Sequence, residues 1–115
     1  MVNNVMFQPV KFIDKLDTVI EENMSNESFC VEDLSSFLFL SNSQIYRKVK
    51  QKTGLSPSNY IQKKRLEQAE ILIRQTNLPI SQIAYQLGFN TASYFSRCFS
   101  DVYGYPPSEL RKSTT

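Results

Sequence analysis

Apolar and polar positions alternate along the chain with the period of a helix. Phe12, Ile13, Leu16, Val19 and Ile20 fall at i, i+1, i+4, i+7 and i+8, which is one helical face. Pro9 suits a first helical position and predicts the start of this helix there, with Asn23-Met24-Ser25-Asn26 as its end. Residues 1–8 lack the pattern and predict a disordered segment. A short helix is expected over 31–38. Ser41 opens a third, spaced from Gln44 as in a capping box, with Ile45 and Val49 inward and Gly54 as a left-handed stop.

Ser56-Pro57 starts a long helix carrying Tyr60, Ile61, Leu66, Ala69, Leu72 and Ile73. It ends near Thr76-Asn77, so it is about 20 residues and roughly 30 Å long. Pro79 to Leu87 predicts a further short helix. Gly88 makes a turn, Asn90 caps a helix reaching Tyr103, Gly104 stops it, and Pro106-Pro107 begins a last turn through Arg111. Residues 113–115 are expected to fray. Strand-like alternation and Asn-Gly or Asp-Gly hairpin signals are missing, so the fold class is all-α.

The chain also resembles itself. Leu34, Leu38 and Leu40 match Ile83, Leu87 and Phe89 at an offset of 49. Beyond the turn the offset is 50: Ile45 matches Phe95, Arg47 matches Arg97, Val49 matches Phe99, Gly54 matches Gly104, Pro57 matches Pro107 and Ser58 matches Ser108. Each copy is a short helix, a tight turn and a longer helix with an Arg among polar residues. That is the pattern of a helix-turn-helix, whose second helix enters a DNA major groove. A connecting helix of roughly 30 Å can hold two such helices near the one-turn spacing of B-DNA, about 34 Å.

Charge supports a polyanion partner for the later part of the chain. Residues 1–40 carry Lys11 and Lys15 against seven acidic side chains, whereas residues 41–115 carry eleven basic against four acidic. The composition, 41% apolar and 21% charged, is that of a soluble globular chain. No apolar stretch is long enough to span a bilayer and no leader pattern is present, so neither membrane contact nor export is expected. The chain has no histidine. That removes imidazole-based triads and the commonest metal ligand. Cys30 and Cys98 cannot form a metal site alone and suit a reducing, cytoplasmic compartment. Cys98 reads as a packing residue. Cys30 lies near a helix start, a place that lowers a thiol pKa. No paired carboxylates, phosphate-cradling glycines or metal-ligand spacing point to an enzyme, a cofactor or a metal.

The stretch GFNTASYFSRCFSDVYGYPPSELR (88–111) resembles the signature of the AraC/XylS family of transcription regulators. The preceding LSPSNYIQKKRLEQAEILIRQTNLPISQIAYQL (55–87) is similar to that family's linker helix and the first helix of its second helix-turn-helix. The likeness runs from Phe29 to Lys112. It implies seven helices: a first helix-turn-helix subdomain over 9–54, a linker helix over 55–76 and a second subdomain over 77–112. It also implies sequence-specific binding of double-stranded DNA through two successive major grooves.

Carried over by position, the first recognition helix presents Asn42, Ser43, Tyr46, Arg47 and Lys50, and the second presents Asn90, Thr91, Ala92, Ser93, Ser96 and Arg97. Arg47 and Arg97 are the candidates for guanine contact. Ser41, Asn90 and Thr91 are at helix starts, where backbone donors favour phosphate. Lys48, Lys52, Lys63 and Lys64 supply general attraction, and the resemblance makes Arg65 a structural tie. Residues 10–38, with their acidic pre-helix, are similar in style to family members fused behind two-component receivers or hybrid sensor kinases. A sensor or receiver part of a longer regulator is therefore an expected partner, with RNA polymerase as another. Three positions depart from the family pattern: Ser35 for Ala, Val49 for Phe, and Phe39 where the second copy has Gly88. The last predicts a different turn in the first copy. The alternative to DNA binding is a helical protein-interaction module.

Overall fold

The structure, a computed structural model, describes residues 11–113. Seven helices account for it: α1 (Phe12–Asn23), α2 (Val31–Leu38), α3 (Asn42–Thr53), α4 (Pro57–Gln75), α5 (Ile80–Gln86), α6 (Ala92–Tyr103) and α7 (Pro107–Ser113). No strand occurs among the described residues. Pro9 lies outside them, as do 1–8 and 114–115. α1 begins at Phe12, after Lys11 in extended backbone. Ser113 belongs to α7 rather than to a frayed tail.

Local chemistry explains the helix ends. The Ser41 hydroxyl accepts from the Gln44 amide at 3.2 Å while the Ser41 amide donates to Gln44 Oε1 at 2.9 Å, a reciprocal box. Ser56 accepts from the Asn59 amide at 3.3 Å, with Pro57 in the first turn. Thr91, not Asn90, caps α6 and accepts from the Tyr94 amide at 3.0 Å. The offset of 50 already pairs Thr91 with Ser41, and Asn90 is the residue gained in the second copy. Gly54 and Gly104 stop α3 and α6 at φ 80 and φ 83.

Both helix pairs turn through one left-handed residue, although the second connection is longer and its cap Leu87 is not left-handed. Phe39 adopts φ 56 and ψ 41, the left-handed region that Gly88 occupies at φ 87. The first copy keeps the turn and accepts the strain of a side chain there, of order 1–2 kcal/mol.

A single core holds both pairs. Leu34, Ile45 and Val49 on one side, and Ile83, Phe95 and Phe99 on the other, are buried against Tyr60, Ile61, Leu66, Ala69 and Ile73 of α4. α4 packs on α1, α3, α5 and α7. Its 19 residues give a strut of roughly 28 Å. The repeat therefore overlaps, because α4 follows the first pair as α7 follows the second, and precedes the second as α1 precedes the first. Two arginines repeat this relation. Arg65 on α4 donates to Met24 O at 3.3 Å and Asn26 O at 3.0 Å, just past α1. Arg111 on α7 donates to Ile73 O at 3.3 Å, Thr76 O at 3.0 Å and Leu78 O, at the end of α4. Each guanidinium fork ties together backbone carbonyls at and just past a helix end.

Candidate nucleic-acid interface

The outward faces of α3 and α6 are built by the same rule: core residues fall every third or fourth position and leave polar ones outside. On α3, Asn42, Ser43, Tyr46, Arg47 and Lys50 are exposed, as is the cap Ser41. On and before α6, Asn90, Thr91, Ser93 and Arg97 are exposed, while Ala92 and Ser96 are half-buried. The Ser41 and Thr91 side chains cap their helices.

Both faces look out on the same side of α4. Tyr46 and Asn42 of α3 line a shallow cleft together with Ser58 and Gln62 of α4. The Tyr94 hydroxyl of α6 reaches Gln62 Oε1 at 3.5 Å. The N-terminal halves of α3 and α6 thus flank one strip of the central helix. Ser58, Gln62 and Tyr94 are additions to the candidates named from sequence. The i,i+4 polar pair Ser58/Gln62 is legible in the sequence, whereas the contact with Tyr94 needs the fold.

Electrostatics separates the cations into two groups. Away from the recognition helices they are paired: Lys63 with Glu67 at 3.6 Å, Lys64 with Asp17 and Glu67 at 3.7 Å, and Arg74 with Glu70 at 3.3 Å. Lys64 therefore also bridges α4 to α1. Asp17 also accepts from the Tyr60 hydroxyl at 2.6 Å. Burial, then this bond, push the Tyr60 hydroxyl well above its usual pKa. Lys48 points at the Phe12 ring of α1, 5.7 Å from its centre, and so faces away from the recognition surface. Arg47, Lys50, Lys52 and Arg97, in contrast, have no carboxylate within salt-bridge reach among the described residues. Arg97 lies over the Tyr94 ring at 6.0 Å, which orients a guanidinium without neutralising it.

The cysteines do not add chemistry. The exposed Cys30 thiol is pushed up, chiefly by a hydrogen bond to Glu32, so the start of α2 does not activate it. Cys98 is buried in α6, and its bond with the Tyr94 hydroxyl raises the latter's pKa. Among the described residues no cluster of three or more His, Cys, Asp or Glu could hold a metal ion, and no helix is long and apolar enough to cross a membrane.

Two outward helices on one strut, each with an unpaired arginine, are the arrangement of a tandem helix-turn-helix. Residues 34–113 match a family described as a helix-turn-helix domain. The chain belongs to the AraC-type helix-turn-helix family. The C-terminal domain of AraT, a response regulator from Geobacillus stearothermophilus, is similar at 30% identity and a TM-score of 0.82, with 90% of this chain and 86% of that one covered. "Histidine kinase P4" of Formosa agariphila is 36% identical over 101 residues, 88% of this chain and 7% of the kinase. The HTH-type transcriptional activator RhaS of Mannheimia succiniciproducens is 40% identical over 90 residues, 78% of this chain and 34% of the activator. The chain thus spans well under half the length of these two curated relatives. AraC-type membership places the chain among DNA-binding transcription-regulator domains, which are not a class of enzymes.

Proposed function

We propose that the chain binds double-stranded DNA sequence-specifically as the DNA-binding module of a bacterial transcription regulator, with α3 and α6 in two successive major grooves. The observation that carries this reading is the shared outlook of α3 and α6 on either side of Gln62, with Arg47 and Arg97 exposed and unpaired. Arg47 and Arg97 bridge O6 and N7 of guanine, each contributing about 1–3 kcal/mol of discrimination. Asn42, Ser43, Tyr46 and Lys50 complete the first reading surface, and Asn90, Thr91, Ala92, Ser93 and Ser96 the second. The helix starts at Ser41 and Thr91 meet phosphate. The chain divides functionally into 9–54, the strut 55–76, and 77–112. It performs no catalysis.

The relatives named as a histidine kinase and a response regulator support a sensor or receiver part elsewhere in a longer protein. Exposed helix faces away from DNA are available to RNA polymerase. The setting is the cytoplasm, where a bacterial chromosome is.

Selection of bound sequences from a random duplex library tests the proposal. Two conserved segments about one helical turn apart are expected, and enrichment of no sequence would refute it. The exposed Phe37 and Phe39 favour one other reading, a protein-interaction module without DNA readout. That reading predicts no retardation of random duplex DNA at low salt.

A further inference from the structure

The two equivalent turns of the repeat have opposite surroundings. Phe39 is 91% exposed. Gly88 is buried, and a Cβ built on it would lie 2.6 Å from Met24 O and 2.9 Å from Arg65 Nη2. Both turns are left-handed, and Phe39 demonstrates that this fold tolerates a side chain in that conformation. At φ 87 the backbone already favours glycine at 88, and the contact with Met24 and Arg65 adds a second reason that the open turn at Phe39 lacks. Met24 ends α1, in the first half of the molecule, and Arg65 ties it to α4 through the bonds to Met24 O and Asn26 O. The turn that launches α6 thus sits directly on a joint belonging to the first half.

We propose that the Gly88 turn, seated on Met24 and Arg65, is a spacing lock that fixes α6 relative to α3 and so sets the number of base pairs allowed between the two DNA segments they read. The inference rests on the two-groove reading above. A connection through α4 alone resists bending but leaves small pivoting about its axis. A second point of attachment removes that freedom, because a body held at two separated points cannot swing about either. Ala92, the first residue of α6, is four positions past Gly88, so a displaced turn displaces the start of the reading helix.

The test measures affinity for the selected site and for derivatives with one base pair added or removed between its two segments, a change of about 3.4 Å along the axis. Wild type is expected to lose about tenfold or more at altered spacing, the scale of a mismatched pair. Gly88→Asn introduces a Cβ with a residue that accepts the left-handed region. It is expected to weaken binding at native spacing and to shrink the native-to-altered ratio by about threefold or more. Arg65→Lys, which keeps the charge but loses the fork, is expected to shrink the ratio in the same direction, and covers the case in which the Asn variant does not fold. Phe39→Asn in the open turn should leave the ratio unchanged. If wild type discriminates spacing while folded Gly88→Asn and Arg65→Lys retain its ratio, the lock is wrong and the two-groove reading stands. If wild type is indifferent to spacing, both fall.

Discussion

α3 and α6 occupy equivalent places in the repeat, yet they are made of different material. α3 carries Arg47, Lys48, Lys50 and Lys52 and no carboxylate, on a core side of Ile45 and Val49. α6 carries Arg97 against Asp101, on a core side of Phe95, Cys98 and Phe99. The second pair is threaded by aromatic contacts, from Phe89–Phe95 at 5.0 Å through Phe95–Phe99 at 5.8 Å to Phe99–Tyr103 at 4.4 Å. The first pair has charge without that framework, and its turn points Phe39 into solvent. The difference teaches that the repeat keeps its geometry while charge and aromatic packing are distributed unequally between its copies.

The largest break in this comparison is expected in the cores. Phe95→Ala should cost about 3–5 kcal/mol, whereas Val49→Ala removes fewer atoms and should cost less. Urea unfolding of the two variants measures this, and equal losses would remove the claimed difference in framework. Next, Arg97→Ala should lose about 1–3 kcal/mol of preference for the selected site with little change on random DNA. Competition binding checks it, and an equal drop on both would reassign Arg97 to phosphate.

The charge contrast has a signature in salt. Lys50→Gln on α3 should make the log–log salt dependence less steep by about 0.9 if it meets one phosphate, whereas the paired Lys64→Gln should leave the slope alone. Titrations at several salt concentrations decide it. A smaller effect belongs to the first turn. Phe39→Gly relieves a left-handed side chain worth about 1–2 kcal/mol, and glycine's own entropy takes back roughly half of that. A modest rise in melting temperature is expected, and a fall would mean that Phe39 packs in a way its exposure does not suggest.

The smallest effect is alkaline. Burial, then Glu70 and Glu67 beside it, push the Tyr103 hydroxyl up to about 12 from an ordinary value near 10. A raised folded-state pKa means that this contribution is whole below the unfolded value and is lost as pH climbs through the folded one. Stability should decline between roughly pH 10 and 12, less steeply in Tyr103→Phe. Tyr60 of α4, raised by burial and Asp17, adds a further alkaline decline that Tyr60→Phe would remove.

What could be read before folding was everything local or periodic. Helix faces, the Ser41–Gln44 box, the Gly54 and Gly104 stops and the offset repeat depend on neighbours within about a turn, and they are written in order along the chain. The cap of α6 was misplaced by one because Asn90 and Thr91 are both good caps, and only the repeat register favours Thr91. Longer-range assignments were harder. Lys48 and Lys64 look like free cations in a list of residues, but α1 supplies a ring for one and a carboxylate for the other. Arg111 gave no hint that it clamps the end of α4, since its acceptors are backbone carbonyls, which every residue has. The closeness of Gly88 to Met24 joins residues 64 positions apart and has no local trace.

One consequence of α4 concerns how such a chain can change over generations. With about 3.6 residues per turn, inserting a single residue midway would swivel everything downstream by roughly 100° and break its seat on the shared core. Only gains or losses near a whole turn, about 5.4 Å, would return α6 to the same side. Length changes in α4 are thus confined to coarse jumps, and finer adjustment of the distance between α3 and α6 is left to the contacts that seat the second pair on the strut.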